Sequence, residues 1–225
     1  MIFMKGKDIA VRYAVATLGL VLVALGVALS LKSKLGTAPI SCPPAMFNLR
    51  WGAVSVGTFT WMMHFVLILF QAALLGRKFK WSHLMQVPAA FVFGYLCDAW
   101  IWVLREVPVD GYAMQAAFCL ATVVATAVGL RIEIIGNAWM IAGDKTIAVL
   151  AEVTGSKVSN VKVCFDIFMV VAAAVFGWSA FRNLLGDGAS VIIREGTVVL
   201  ALCTGLCMKL TDPLVDRVFK PLIHG

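Results

Sequence analysis

Charged residues are scarce in this sequence. Asp, Glu, Lys and Arg make up 14% of its 225 residues, whereas about a quarter of the residues in a soluble domain are charged. Hydrophobic residues make up 61%, and the mean hydropathy is +0.93. A soluble fold of this length would leave much of that apolar surface in water. The composition therefore excludes a soluble globular domain and predicts an all-α polytopic membrane protein.

Enzyme motifs are absent as well. The chain has no P-loop, no HExxH zinc motif, no GxSxG nucleophile elbow and no GxGxxG dinucleotide fingerprint. We therefore expect no enzymatic activity and no cofactor, and an ATP-driven pump would need a partner chain. The six cysteines lack metal-ligand spacing, so we expect no metal site.

A basic face is also missing. The formal net charge is +7, but no basic run is interleaved with aromatic residues or gathered on one face, as phosphate binding requires. We expect no nucleic acid partner. The positive charge is better explained by Lys and Arg residues that flank membrane spans. The lipid bilayer is the expected partner.

Six apolar runs are long enough to cross a membrane, which takes about 20 helical residues. They cover residues 13–31, 56–75, 84–104, 112–135, 158–178 and 196–210, and the last run has an alternative start near residue 191. A short basic leader, residues 1–12, precedes the first run. A cleaved secretory signal with small residues at Ala28 and Ser30 is the alternative there. The length of the run and the spans after it favour a membrane helix.

Two further apolar segments are too short to span. Residues 39–49 and 142–153 each follow a long apolar run, and a dozen residues at about 1.5 Å each reach only ~18 Å. Paired short or Gly/Pro-interrupted segments in corresponding places are the best sequence indication of a transporter's binding site.

The chain divides into two similar halves, residues 1–106 and 107–225. Each half contains three spans, with a short non-spanning helix after the first. Because three is odd, the second half enters the membrane from the opposite side, which predicts two inverted three-helix repeats and alternating access. Superposing the halves pairs Gly26 with Gly129, Ser30 with Glu133, Pro39 with Ala142, Ser41 with Asp144, His64 with Asp166, Gly94 with Gly205, and Asp98 with Lys209.

Lys and Arg fall unevenly on the two sides of the predicted membrane. With the N-terminus inside, all but six of the 19 basic residues lie on the inner side. The six outer ones are Lys32, Lys34, Arg50, Arg105, Arg182 and Arg194. Cytoplasmic flanks collect positive charge, so we expect both termini to be cytoplasmic.

Several short motifs resemble those of the YczE/YyaS/YitT family of bacterial multispanning membrane proteins. They are Leu-Gly-x-x-Pro at 35–39, Thr154-Gly155 with Lys162-Val163-x-x-x-Asp166, and Arg194-Glu195-Gly196-Thr197. The resemblance covers nearly the whole chain and implies this fold and a bacterial inner-membrane location, more than an activity. Many relatives carry an acidic residue where Ser41 stands and Gly-Pro where Ala142-Gly143 stands. It is therefore open whether the first short segment is as chemically active as the second.

Ionisable residues inside a membrane are costly and are candidates for function. Asp144 and Lys145 open the second short helix, where unpaired N–H groups and the helix dipole would receive a carboxylate or phosphate of a solute. The alternative is that Asp144 only caps its own helix. Pro39 and Ser41 hold the matching place in the first short segment.

Lys162 and Asp166 are four residues apart and so share one face of the fifth span. They form either a static ion pair or a pair that opens to hold a solute or exchange a proton. His64, the counterpart of Asp166, either titrates near neutral pH or packs as a hydrogen-bonded residue. Asp98 and Glu133 complete the candidate solute-binding set, because neither has a partner nearby in sequence.

Together these features predict a small secondary transporter or exporter of a small polar or amphipathic solute in the bacterial inner membrane. Proton coupling through the membrane acids is an option. The alternatives are a non-transporting receptor or regulatory scaffold, and the solute-capture subunit of an ATP-driven importer. A homodimer is left open.

Overall fold

The structure, a computed structural model, describes residues 6–188 and 190–224. Within these residues the chain forms eight α-helices and no strand. The helices are α1 (Gly6–Ser33), α2 (Cys42–Arg50), α3 (Val56–Leu75), α4 (Gln86–Val103), α5 (Tyr112–Gly136), α6 (Ala142–Thr154), α7 (Val158–Phe181) and α8 (Glu195–His224). A 3₁₀ turn at Pro39–Ser41 leads into α2. The first five residues of the predicted basic leader lie outside the described residues.

Six of these helices, α1, α3, α4, α5, α7 and α8, are long and apolar enough to cross a membrane. The other two, α2 and α6, contain 9 and 13 residues, about 14 and 20 Å at 1.5 Å per residue, so neither spans. The prediction of an all-α chain with six candidate spans is confirmed. The chain is a multipass membrane protein.

The last helix is longer than predicted. The sequence predicts an end near residue 210, but α8 continues to residue 224 through Pro213 and a second proline. A proline inside a helix costs about 3 kcal/mol. Contacts with α5 offset that cost: Arg131 donates to both carboxylate oxygens of Asp216, at 2.8 and 2.7 Å, and lies 3.4 Å from Asp212. These partners are distant in sequence, so local signals predicted too early an end.

The bundle is centred on α1 and α5, which pack antiparallel through glycines. A Cβ added at Gly19 would lie 2.6 Å from the backbone nitrogen of Glu133, and one added at Gly129 would lie 2.8 Å from that of Val23. Small residues let membrane helices approach this closely. Because the two helices are antiparallel, the start of α1 lies at the same end of the bundle as the end of α5.

The two ends of the bundle carry different groups. The end of α8 joins α5 through Arg131 and Asp216, so the start of α1 and the end of α8 lie at one end of the bundle, which we call the termini end. At the opposite end, the loop end, Lys32 donates to the carbonyl of Arg105 at 2.7 Å and Arg194 donates to the carbonyl of Lys34 at 3.0 Å.

The two short helices enter from opposite ends and meet inside the bundle. α2 follows α1 at the loop end, whereas α6 follows α5 at the termini end. Each packs against both α3 and α7. Ile40, in the turn before α2, lies directly against Gly143 in the first turn of α6. The N-termini of both short helices therefore lie in the interior of the bundle.

Candidate functional site

A cavity of about 210 Å³ lies where the two short helices meet. Six of the nine predicted site residues line it: Pro39, Ser41, His64, Asp144, Lys162 and Asp166. The rest of its wall is mostly apolar and comes from all the long helices, from α6 and from the segment before α2. At about 30 Å³ per water molecule in the liquid, the space suits a small solute or the head group of a larger one.

His64 and Asp166 lie at matching depths from opposite ends of the bundle. His64 follows the first residue of α3 by eight positions, and Asp166 follows the first residue of α7 by the same number. Eight residues at 1.5 Å give about 12 Å, close to the middle of a ~30 Å hydrocarbon core. The cavity is therefore near the centre of the bundle's apolar thickness.

Lys162 and Asp166 form the expected ion pair. The Lys162 ammonium lies 3.1 Å from the Asp166 carboxylate, and the side chains are 45% and 11% exposed respectively. Asp166 is therefore the buried partner, and its charge depends on Lys162 for compensation. The Lys162 side chain lines the cavity and is also partly exposed at the surface of the bundle.

Asp144 does not cap its helix. The N-cap position of α6 is Ile141, and no side chain caps it there. The carboxylate of Asp144 makes no hydrogen bond or ion pair to any residue in the described part of the chain, and it is only partly buried. The capping interpretation is therefore wrong, and Asp144 presents to the cavity a carboxylate that has no ion pair of its own.

His64 also lacks a partner. Its side chain is 1% exposed, and its Nδ1 atom is buried with no hydrogen bond among the described residues. The imidazole stacks on Phe93, with ring centroids 5.5 Å apart. Buried polar atoms are nearly always hydrogen-bonded, so an unpaired ring nitrogen beside a cavity marks a position at which a ligand would gain a hydrogen bond.

Asp98 lies outside the cavity, at the loop end. Its carboxylate accepts hydrogen bonds from the Ser55 hydroxyl at 2.6 Å and from the backbone N–H of Gly57 at 2.8 Å. Both donors belong to the start of α3. Asp98 therefore stabilises the N-terminus of α3 and its contact with α4.

Glu133 and Lys145 also lie outside the cavity. The Glu133 carboxylate accepts a hydrogen bond from the backbone N–H of Ile141 at 2.7 Å, which positions the segment before α6. Both residues line a separate pocket of about 200 Å³ at the termini end, together with His83. Of the nine predicted residues, the structure brings six together and leaves Asp98, Glu133 and Lys145 apart.

A buried amide network next to the cavity had not been predicted. The Gln71 side chain bonds with Gln86 in both directions, at 3.1 and 3.0 Å, and donates to the Thr146 hydroxyl at 2.9 Å and the Ala142 carbonyl at 3.1 Å. These contacts join α3 and α4 to the first turn of α6. The only sequence signal was one glutamine within each of two apolar runs, residues 56–75 and 84–104.

Gln71→Leu is expected to destabilise the fold by about 1–3 kcal/mol, because it leaves the buried amide of Gln86 short of a partner. The double variant Gln71→Leu/Gln86→Leu should recover part of this loss, since both polar partners are then removed. Chemical unfolding in detergent micelles would measure both effects. A double variant that loses the sum of the two single effects would show that the pair does not act as one unit.

Residues 10–213 of the chain match the model of a family described as a family of unknown function, DUF6198. The chain belongs to this family. No curated protein and no solved structure matches the sequence or fold of this chain. The DUF6198 match includes every cavity residue named above, but it does not name the YczE/YyaS/YitT family, so that resemblance stays a prediction.

The cavity of this DUF6198 member contains groups that can bind a solute. The cavity offers a hydroxyl from Ser41, the imidazole of His64, a carboxylate without an ion pair from Asp144, and the pair of Lys162 and Asp166. Such groups can hold and orient a polar group by hydrogen bonds and charge. The apolar remainder of the wall can cover an alkyl portion of the same molecule.

Proposed function

We propose that this chain is a small secondary transporter that moves a small polar or amphipathic solute across the bacterial inner membrane by alternating access. The cavity carries this proposal. Ser41 and Asp144 reach it from the two short helices, and His64 and Asp166 reach it from α3 and α7. Intramembrane ionisable groups are costly and mark solute or proton pathways. Transporter sites typically lie near the mid-plane, at discontinuous helices.

The proposal includes two inverted repeats, residues 1–106 and 107–225. Contacts at corresponding places in the two halves support this division. The Ser30 hydroxyl bonds with the Thr37 hydroxyl at 2.7 Å, and the Glu133 carboxylate accepts from the backbone of Ile141 at 2.7 Å. Each bond attaches the end of a first span to the segment before a short helix. In addition, both short helices pack against α3 and α7.

One matched pair of helices packs differently in the two halves. α3 and α4 meet at a seam formed by Gly57 and Gly94, where a Cβ added at Gly94 would lie 2.6 Å from the Gly57 carbonyl oxygen. Among the described residues α7 and α8 form no comparable seam, and a Cβ at Gly205 would meet nothing within 4 Å. Contact between one pair of helices and separation of its counterpart fits a protein whose two halves exchange conformations.

The orientation of the proposed transporter follows from its basic residues. The termini end is the one whose flanks hold most of the Lys and Arg, so we place it in the cytoplasm. We assign the protein to the bacterial inner membrane because of its resemblance to the YczE/YyaS/YitT family. Asp166, the acid of the ion pair within the cavity, is the proposed site of proton coupling.

Cysteine accessibility tests this function without knowledge of the solute. Thr204 of α8 lines the cavity. In a variant with the six native cysteines replaced by alanine, Thr204→Cys is expected to react with a membrane-impermeant thiosulfonate both in right-side-out and in inside-out vesicles. The reason is that a transporter exposes its cavity to each side in turn.

Leu210→Cys is the matched control, because Leu210 is 73% exposed on the outer face of α8 and should lie in lipid, where no thiolate forms. Reaction of Thr204→Cys from one face at most would contradict transport and favour the receptor or scaffold. Co-purification with an ATPase and a coupling subunit would favour the solute-capture role.

A further inference from the structure

We propose that the solute is an amphipathic cation, with an ammonium head and one apolar chain, and that it reaches the cavity sideways from the bilayer between α7 and α8. Movement of this molecule across the membrane rests on the proposed transport function. Its binding does not.

A cleft of about 350 Å³ separates α7 from α8. Its walls are apolar and include Ile167 and Val170 on α7 and Val198 and Leu202 on α8. Ile167, Val198 and Leu202 are 58%, 59% and 69% exposed, so the mouth of the cleft faces the surface that the bilayer covers. We call this feature the lateral cleft. Its walls suit an alkyl chain.

The lateral cleft adjoins the cavity. Pro39, Asp166 and Ala201 line both of them. The side chain of Ala201 is small, so a passage at this junction would meet little obstruction from it. A molecule whose chain occupies the lateral cleft would therefore place its head beside Asp166, within the cavity that also contains Asp144 and His64.

The cavity is less connected to the two ends of the bundle. Among the residues that the structure describes, it shares no lining residue with the pocket beside Glu133 at the termini end or with the pocket beside Arg194 at the loop end. At the loop end, backbone bonds attach the segment before α2 to the start of α8: Thr37 donates to Ile192 at 3.0 Å and Gly196 donates to Leu35 at 2.8 Å. Access from the bilayer is thus better developed than access from either end.

The charge in the cavity favours a cation. Two carboxylates, Asp144 and Asp166, face one ammonium, Lys162, and that ammonium is already paired with Asp166. Asp144 has no ion-pair partner of its own, although Lys162 also attracts it. A cationic head would supply such a partner beside His64, whose buried Nδ1 has no hydrogen bond among the described residues.

The short helices offer little to an anion. Pro39, Pro43 and Pro44 remove three backbone N–H donors from the start of the first short segment, so it lacks the donors of a helix-terminus anion site. The first turn of α6 already contains a carboxylate of its own, Asp144, which opposes the positive end of the helix dipole.

Binding of radiolabelled decylamine to the full chain in phosphatidylcholine nanodiscs tests the proposal, with binding to empty nanodiscs subtracted. We expect saturable binding at least tenfold tighter than that of decyl sulfate, which has the same chain and the opposite charge. We also expect it to be at least tenfold tighter than that of methylamine, which has the head without the chain. Asp144→Asn should remove the preference for the cation.

Ala201→Phe fills the junction of the lateral cleft and should weaken decylamine binding at least tenfold. Ala117→Phe is the matched control, since Ala117 is exposed on α5 and should leave binding unchanged. If Ala201→Phe lowers the unfolding temperature, the smaller change Ala201→Leu replaces it and should weaken binding in the same direction.

Tighter binding of decyl sulfate, or equal binding of methylamine, would overturn the proposal. So would normal decylamine binding by folded variants at position 201. The proposed function fails separately: the expected decylamine binding together with one-sided labelling of Thr204→Cys would refute transport and leave this inference intact. Two-sided labelling of Thr204→Cys without preferential binding of decylamine would support transport and refute the amphipathic cation as the solute.

Discussion

Gly94→Ala is expected to destabilise the protein strongly, whereas Gly205→Ala, at the matching position of the second half, is expected to be neutral or mildly stabilising. A Cβ at Gly94 would lie 2.6 Å from the carbonyl oxygen of Gly57 and 3.2 Å from the ring of Trp61. Such overpacking costs about 1–3 kcal/mol or more. At Gly205 no atom lies within 4 Å of the added Cβ, and alanine favours a helix over glycine by about 1 kcal/mol.

Thermal unfolding of the two variants in the same detergent measures this difference. Gly57→Ala should resemble Gly94→Ala, because its Cβ would overlap the Gly94 carbonyl oxygen and the Asp98 carboxylate. Equal destabilisation by Gly94→Ala and Gly205→Ala would mean that α7 and α8 are as tightly packed as α3 and α4. The lateral cleft would then be absent from the protein in solution.

Lys162→Leu is expected to destabilise the protein more than Asp166→Leu, the replacement of its ion-pair partner. It leaves Asp166, whose side chain is 11% exposed, without a counter-charge, and breaking a buried pair in this way costs about 3–5 kcal/mol. Asp166→Leu should cost less, because the Lys162 side chain that remains is less buried, at 45% exposed, and its flexible stem can carry the ammonium toward the membrane interface. The double variant Lys162→Leu/Asp166→Leu should recover most of the loss, since neither member of the pair is then left as an unpaired charge.

The amount of folded protein in the membrane and the unfolding temperature measure this series. The double variant also separates the interpretations of the pair, because it should fold normally yet lose two-sided labelling of Thr204→Cys. If it instead keeps its abundance, its labelling and its cellular phenotype, the pair is static and the receptor or scaffold is favoured. If Asp166→Leu proves worse than Lys162→Leu, Asp166 is not the buried partner.

Local sequence signals predicted much of the site because the groups involved are close in sequence or marked by composition. Lys162 and Asp166 are one helical turn apart, so their pairing follows from helix geometry alone. The short helices were predicted from apolar runs too short to span, and Ser41 and Asp144 followed from their places at the starts of those runs. All four of these residues line the cavity.

Other roles could not be read from the sequence. Asp98 and Glu133 met the same criterion as Asp144, a charged residue in or near an apolar run, yet they bond to the backbone at the starts of α3 and α6. Nothing in their neighbourhood in the sequence distinguishes a carboxylate that accepts from a backbone N–H from one that faces a cavity. The partners of Asp98 lie about forty residues away, and only folding brings them together.

By itself, then, the amino-acid sequence determined the class of protein, the six spans and the two short helices. These depend on hydropathy and length, and a membrane imposes both on each segment separately. The tertiary structure decided which acids face the cavity, how far α8 extends beyond Pro213, and that α7 and α8 stand apart while α3 and α4 meet. Each of these depends on contacts between helices distant in the chain, where the shape of one side chain or the absence of a Cβ sets how closely two backbones approach.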